Sequence, residues 1–153
     1  MTDNKPILVL GIGNLLLKDE GIGVHVVNRL KDMPLPPDVE VMDGGTMGIN
    51  LLFYIEGRKK VIVVDTVKAG EPPGTMYRFT DKDLSFKKDF LRTAHGIDFS
   101  DVVKTAQTLG TKPEEVVFIG IEPADMNEGL ELSALIAQRI PVIIELVMKE
   151  LKG

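Results

Sequence analysis

The sequence predicts a three-layer α/β domain over residues 1–153: a mostly parallel, twisted five-stranded sheet with helices on both faces and one antiparallel edge strand. Three observations lead there. The runs at 6–10, 60–65 and 115–120 are apolar without alternation, as in strands covered on both faces. Segments of helical periodicity lie between the strands, which is the pattern of βαβ units with right-handed crossovers. One segment, Gly74-Thr-Met-Tyr-Arg-Phe79, alternates instead and follows a Pro-Pro-Gly turn, which places it antiparallel at an edge.

The elements follow in order. Pro6-Ile-Leu-Val-Leu10 is a buried strand ended by Gly11. After a glycine-containing loop, residues 19–31 form a helix with Ile22, Val26, Val27 and Leu30 on one face, stopped by Met33-Pro-Leu-Pro-Pro37. Val39-Glu-Val-Met42 is a short second strand, and Thr46 then caps a helix that reaches about residue 56 with Leu51, Leu52 and Ile55 inward. Lys60-Val-Ile-Val-Val-Asp65 is the third strand, and the alternating segment at 74–79 is the edge. Residues 98–109 are helical, with Phe99, Val102, Val103 and Ala106 on one side. Glu115-Val-Val-Phe-Ile-Gly120 is the fifth strand. A long helix covers about 132–151, and Pro141 inside it is expected to kink it or split it in two.

The composition narrows the function. With 44% apolar and 27% charged residues, the chain is an ordinary globular sequence rather than a disordered one. A net charge of −5 argues against nucleic-acid binding through bulk charge. The chain has no cysteine, which excludes disulfides, thiolate catalysis and cysteine-ligated metal. Any metal must be held by carboxylate, imidazole, carbonyl or water. The apolar stretch at 7–17 is broken by Gly11, Gly13 and Asn14 and is too short to span a bilayer, so a soluble cytoplasmic protein without a membrane partner is expected.

In such folds ligands gather outside the carboxyl ends of the strands. The residues there are Gly11-Ile-Gly-Asn14, Asp43-Gly-Gly-Thr46, Asp65-Thr66 and Glu122-Pro123. Gly11-Ile-Gly13 invites a dinucleotide reading, but the third small residue is replaced by Leu16, and Asp19-Glu20 at the following helix start would repel a pyrophosphate. The glycines are better read as permitting a tight turn. Acidic residues are common at helix starts, yet Asp19 and Glu20 stand at the carboxyl edge of a strand. Asp65 ends an apolar run, where a carboxylate is buried and needs a partner or a metal. His95 stands in a glycine-containing loop, whereas His25 lies about 140° around its helix from Glu20 and points elsewhere. Glu20, Asp65 and His95 together make a mixed oxygen and nitrogen donor set suited to a nickel, zinc, iron or manganese ion. Spacing alone also leaves open a metal-independent pair, Glu20 and Asp65 sharing one proton.

The ordered set Gly11-Ile-Gly-Asn-Leu-Leu-Leu-Lys-Asp-Glu-Gly-Ile-Gly23, Asp43-Gly-Gly-Thr46, Val63-Val-Asp65, Pro73-Gly-Thr75, His95-Gly96 and Ile119-Gly-Ile-Glu-Pro123 closely resembles the hydrogenase maturation endopeptidases, over about residues 7–123. That resemblance implies a cytoplasmic α/β peptidase. Its partner is the large-subunit precursor of a [NiFe] hydrogenase, from which it removes a C-terminal extension after nickel insertion. The substrate's nickel ion is the recognition signal, and another divalent metal can occupy the site in vitro. By matched positions the nickel ligands are Glu20, Asp65 and His95. Glu20 and Asp65 are also the candidates for activating water, and Asn14, Asp19 and Asp43 are candidates for orienting substrate or ligands. A non-hydrolytic nickel-binding chaperone or checkpoint protein would use the same three ligands.

Overall fold

The computed structural model describes residues 4–84 and 99–152. Its strands are β1 (Ile7–Ile12), β2 (Val39–Gly45), β3 (Lys60–Thr66), β4 (Met76–Thr80) and β5 (Glu115–Ile121). They form one sheet in the order β2-β1-β3-β5-β4. The first three neighbouring pairs are parallel, and β4 runs antiparallel along β5, which confirms the expected edge strand. The helices are α1 (Ile22–Leu30), α2 (Leu52–Ile55), α3 (Asp81–Leu84), α4 (Phe99–Leu109) and α5 (Ala134–Lys152). Short 3-10 turns at Lys18–Gly21 and Gly48–Leu51 lead into α1 and α2.

Alternate strand residues feed two separate cores. Leu8, Leu10, Val61, Val63, Val116 and Phe118 pack with α2, the 3-10 turn before it and α4 through Leu51, Leu52, Ile55, Phe99, Val102, Val103 and Ala106. Val9, Ile62, Val64, Val117 and Ile119 pack on the other face against Ile22, Val26, Val27 and Leu30 of α1 and Ile136, Ile140, Ile143 and Val147 of α5. All seven residues of β3 are buried, so it is the central strand its unbroken apolar run predicted.

Several local expectations are corrected. The first helical segment opens as a 3-10 turn, and the α-helix begins at Ile22 rather than at residue 19. The second strand runs on to Gly45, past the predicted end at Met42. Thr46 does not cap the next helix: its 3-10 turn begins at Gly48 without a side-chain cap, and the Met47 N–H donates to the Gly44 carbonyl. The backbone thus closes that turn without a hydroxyl. Helix α3, one turn long, was not predicted. Asp98 lies outside the described residues.

Helix α5 runs undivided through Pro141. An interior proline costs about 3 kcal/mol through its missing N–H and its ring. Ile136 and Ile140 before it and Ile143 and Val147 after it are at most 5% exposed. At roughly 1.5–3 kcal/mol for each buried side chain, they outweigh that cost. Pro141 and Ala137 are both exposed, so water can reach the carbonyl that the proline leaves without an N–H.

The approach of α1 to the sheet positions the later chemistry. A side chain on Gly23 would collide with the carbonyl oxygens of both Ile12 and Val64, and one on Gly11 with the carbonyl of Gly23. Helix backbone therefore lies directly on strand backbone. Gly23→Ala should destabilise the protein by about 2 kcal/mol or more, because this overlap outweighs the roughly 1 kcal/mol of helix propensity that alanine adds. Urea denaturation measures the difference, and a variant as stable as wild type would disprove the close approach.

His25, on α1, has a buried Nε2 without a hydrogen-bond partner among the described residues. Burial first, and the Arg29 charge second, hold its imidazole below the ordinary value of 6.5. The unfolded chain therefore takes up a proton at a pH where folded His25 stays neutral. Its contribution is fully present above the unfolded value and is lost as pH falls. Between about pH 7.5 and about pH 5.5, wild type should lose more stability than His25→Gln in parallel urea titrations; equal losses would refute this assignment.

Candidate active site

The sheet order places a topological switch between β1 and β3. From β1 the chain passes to β2 on one side, and β3 continues to β5 on the other. Loops leaving the two strands diverge, and a crevice opens between their carboxyl ends. Gly11 of β1 pairs with Asp43 of β2 on one side and with Val64 of β3 on the other, and Asp65 pairs with Gly120. Asp43, the loop after β1, Asp65 and the residues after β5 thus lie along one edge.

Asp65 is 1% exposed, and its Oδ1 accepts the backbone N–H of Thr66 at 2.7 Å. Glu20 is 4% exposed and sits in the Lys18–Gly21 turn, which packs against β3. The Asn14 N–H donates to the Glu20 carbonyl at 3.2 Å, and the Glu20 N–H donates to the Leu17 carbonyl at 3.0 Å. Gly13 has φ of 152°, and a side chain there would strike that same Glu20 carbonyl. The local sequence therefore folds the loop tightly around Glu20. The structure brings two of the three expected ligands to one edge; His95, the third, lies outside the described residues. Among the described residues no group of three His, Cys, Asp or Glu side chains is arranged to hold a metal.

The other expected residues divide by surroundings. Asn14 and Asp43 line a shallow cleft of about 160 Å³ together with Thr46. Each is engaged in its own turn: Asn14 Oδ1 accepts the Leu16 N–H at 2.9 Å, and Asp43 Oδ1 accepts the Gly45 N–H at 2.8 Å. Asn14 also borders a larger groove of about 500 Å³ between Leu16 and Leu130. Asp19 is fully buried, facing the chain that leaves β5.

In the sequence Glu122 stands only as part of an edge motif; the structure gives it more weight. It is 6% exposed and follows β5. Its Oε1 accepts the Ala69 N–H at 3.0 Å, the Glu71 N–H at 3.3 Å and the Tyr77 hydroxyl at 2.8 Å. It thereby ties the loop after Asp65 to strand β4. Burial, with Glu122 beside it, holds the Tyr77 phenol well above its usual value. The signal was available: Glu122, like Asp65, is a carboxylate ending an apolar run.

Similarity to known proteins shows the family and the fold. A family model described as hydrogenase maturation protease matches residues 24–150. The hydrogenase expression/formation protein HupD of Rhodobacter capsulatus is 38% identical over 150 residues, covering 96% of this chain and 71% of that protein. The hydrogenase 2 maturation protease of Escherichia coli is 32% identical over 148 residues, covering 95% of this chain and 90% of that one. The solved structure of the hydrogenase maturating endopeptidase HybD from E. coli superposes with a TM-score of 0.88 at 32% identity, covering 95% of this chain and 91% of that chain. With the same sheet and a match over most of its length, the chain is a peptidase that belongs to the hydrogenase maturation protease family.

Proposed function

We propose that this peptidase removes the C-terminal extension of a [NiFe] hydrogenase large-subunit precursor after nickel insertion, and that it recognises the nickel carried by that substrate through Glu20, Asp65 and His95. The observation that carries the reading is the burial of Glu20 and Asp65 at the β1/β3 crevice of a chain in this family. Carboxylates buried at a water-poor edge require compensation, and a divalent cation is suited to supply it. Two oxygen donors and one imidazole nitrogen suit a nickel ion and leave coordination positions for the substrate's own donors and for water. Only a loaded precursor gains this interaction, so specificity rests on a difference in binding. Glu20 or Asp65 then serves as base for the attacking water, or the substrate's ion lowers that water's pKa. The cytoplasm, where such a precursor would be met, is the proposed location.

The test is incubation of the purified protein with a large-subunit precursor, nickel-loaded and nickel-free, read by intact mass. Loss of a C-terminal peptide from the loaded form alone is expected. Glu20→Gln, Asp65→Asn and His95→Ala should each slow it about a hundredfold or more, while His25→Ala stays near wild type. Processing of both precursor forms would discard the nickel checkpoint and favour a metal-independent carboxylate pair. An inactive His25→Ala beside an active His95→Ala would overturn the ligand assignment.

A further inference from the structure

Asp19 is a heavily engaged carboxylate, and it lines neither cleft at the site. Oδ2 accepts the Ala124 N–H at 2.9 Å, the Asp125 N–H at 2.8 Å and the Ser133 hydroxyl at 2.8 Å, and Oδ1 accepts the Ser133 N–H at 2.8 Å. The backbone adds to the same clasp. Asp19 N–H donates to the Asp125 carbonyl at 3.0 Å, Lys18 N–H to the Gly129 carbonyl at 2.9 Å, and Gly129 N–H to the Leu16 carbonyl at 2.9 Å. The Lys18 ammonium reaches Asp125 at 2.9 Å.

Two features make this more than an internal bond. The first is strain. Lys18 has φ of 46°, the one non-glycine residue at positive φ among those described, and such a conformation costs about 1–3 kcal/mol unless its surroundings impose it. Its immediate neighbour Asp19 supplies that imposition. The second is topology. Asp19 follows β1, its partners follow β5, and β3 lies between those strands. The clasp therefore passes over the carboxyl end of β3, where Asp65 sits. Glu20 is the next residue along the clasped turn.

We propose that Asp19 is a positioning residue for peptide cleavage: by gripping Ala124, Asp125 and Ser133 it holds the strained Lys18–Gly21 turn in the orientation that presents Glu20 beside Asp65. This rests on the reading of Glu20 as a functional carboxylate. Asparagine at this position has one acceptor oxygen and must turn its amide donors toward at least one of the opposing N–H groups, so Asp19→Asn loosens the turn without adding bulk. A displacement of Glu20 of the order of 1 Å is enough to lose catalysis heavily.

The experiment compares Asp19→Asn, Ser133→Ala, Glu20→Gln and Val147→Ala on a nickel-loaded precursor, below the melting temperature of every variant. Val147 is fully buried in the α1/α5 core, so its variant reports loss of stability alone. Expected is a fall in kcat of about tenfold or more for Asp19→Asn and a smaller fall for Ser133→Ala, with Val147→Ala near wild type despite a lowered Tm. If Asp19→Asn keeps a kcat within about twofold of Val147→Ala while Glu20→Gln is inactive, the positioning role is wrong and the reading of Glu20 stands. Full activity of Glu20→Gln would instead remove the reading itself. If Asp19→Asn does not fold, Ser133→Ala decides: wild-type kcat there overturns the proposal.

Discussion

The site depends on the contact between the backbone of α1 and the ends of β1 and β3. Gly23 has no side chain, so the helix rests on the carbonyl oxygens of Ile12 and Val64. A helix held off by even one methyl would carry its preceding turn with it, and that turn bears Glu20. Hydrophobic burial of Ile22, Val26, Val27 and Leu30 supplies the force that seats α1, but burial is non-directional and would tolerate sliding. The steric floor under Gly23 and Gly11 supplies the register. A glycine pattern that resembles a phosphate loop in sequence thus serves close packing of helix on sheet.

Around that contact the buried carboxylates divide the work. Asp19 and Glu122 each accept from backbone N–H groups and from a hydroxyl, Ser133 in one case and Tyr77 in the other. Charge-assisted bonds of this kind are about twice as strong as neutral ones, so each carboxylate acts as a rivet between segments. Asp19 joins the turn after β1 to the chain after β5, and Glu122 joins the loop after β3 to β4. Both strands that border the strand of Asp65 are thereby tied at their carboxyl ends, and the antiparallel edge strand beyond is tied at its amino end, through Tyr77. Ser133 also lies within reach of the Ile136 N–H at 3.4 Å, so the rivet and the start of α5 share one side chain.

Much of this was legible in the sequence because the fold is built from strong, local signals. Unbroken apolar runs mark strands buried on both faces, and Asp65 stands out as the charge that ends one. The alternation at 74–79 marked the edge strand correctly. What could not be read depends on distant partners or on backbone alone. Asp19 looks like an ordinary acidic helix start, since its partners lie 105 to 114 positions away. Thr46 carries a capping residue's chemistry, yet the backbone closes that turn first. Pro141 reads as a kink or a split, and the split does not occur because buried residues on both sides of it hold α5 as one helix. His95 was singled out from its loop context, and its placement lies outside the described residues.

The topology gives these pieces a common logic. At a switch point the loops from two adjacent strands part, which opens the crevice but also leaves it without walls. Here the missing wall is supplied from β5, one strand further along, by chain that crosses the end of β3 to reach the turn after β1. The crossing ties the turn that carries Glu20 to the chain after β5, so the shape of the crevice and the placement of Glu20 are not independent. Water exclusion strengthens every electrostatic interaction in such a crevice. On the proposed role of Asp19, that coupling reaches the chemistry: a turn loosened at Asp19 shifts Glu20 relative to Asp65, and the rate falls with it.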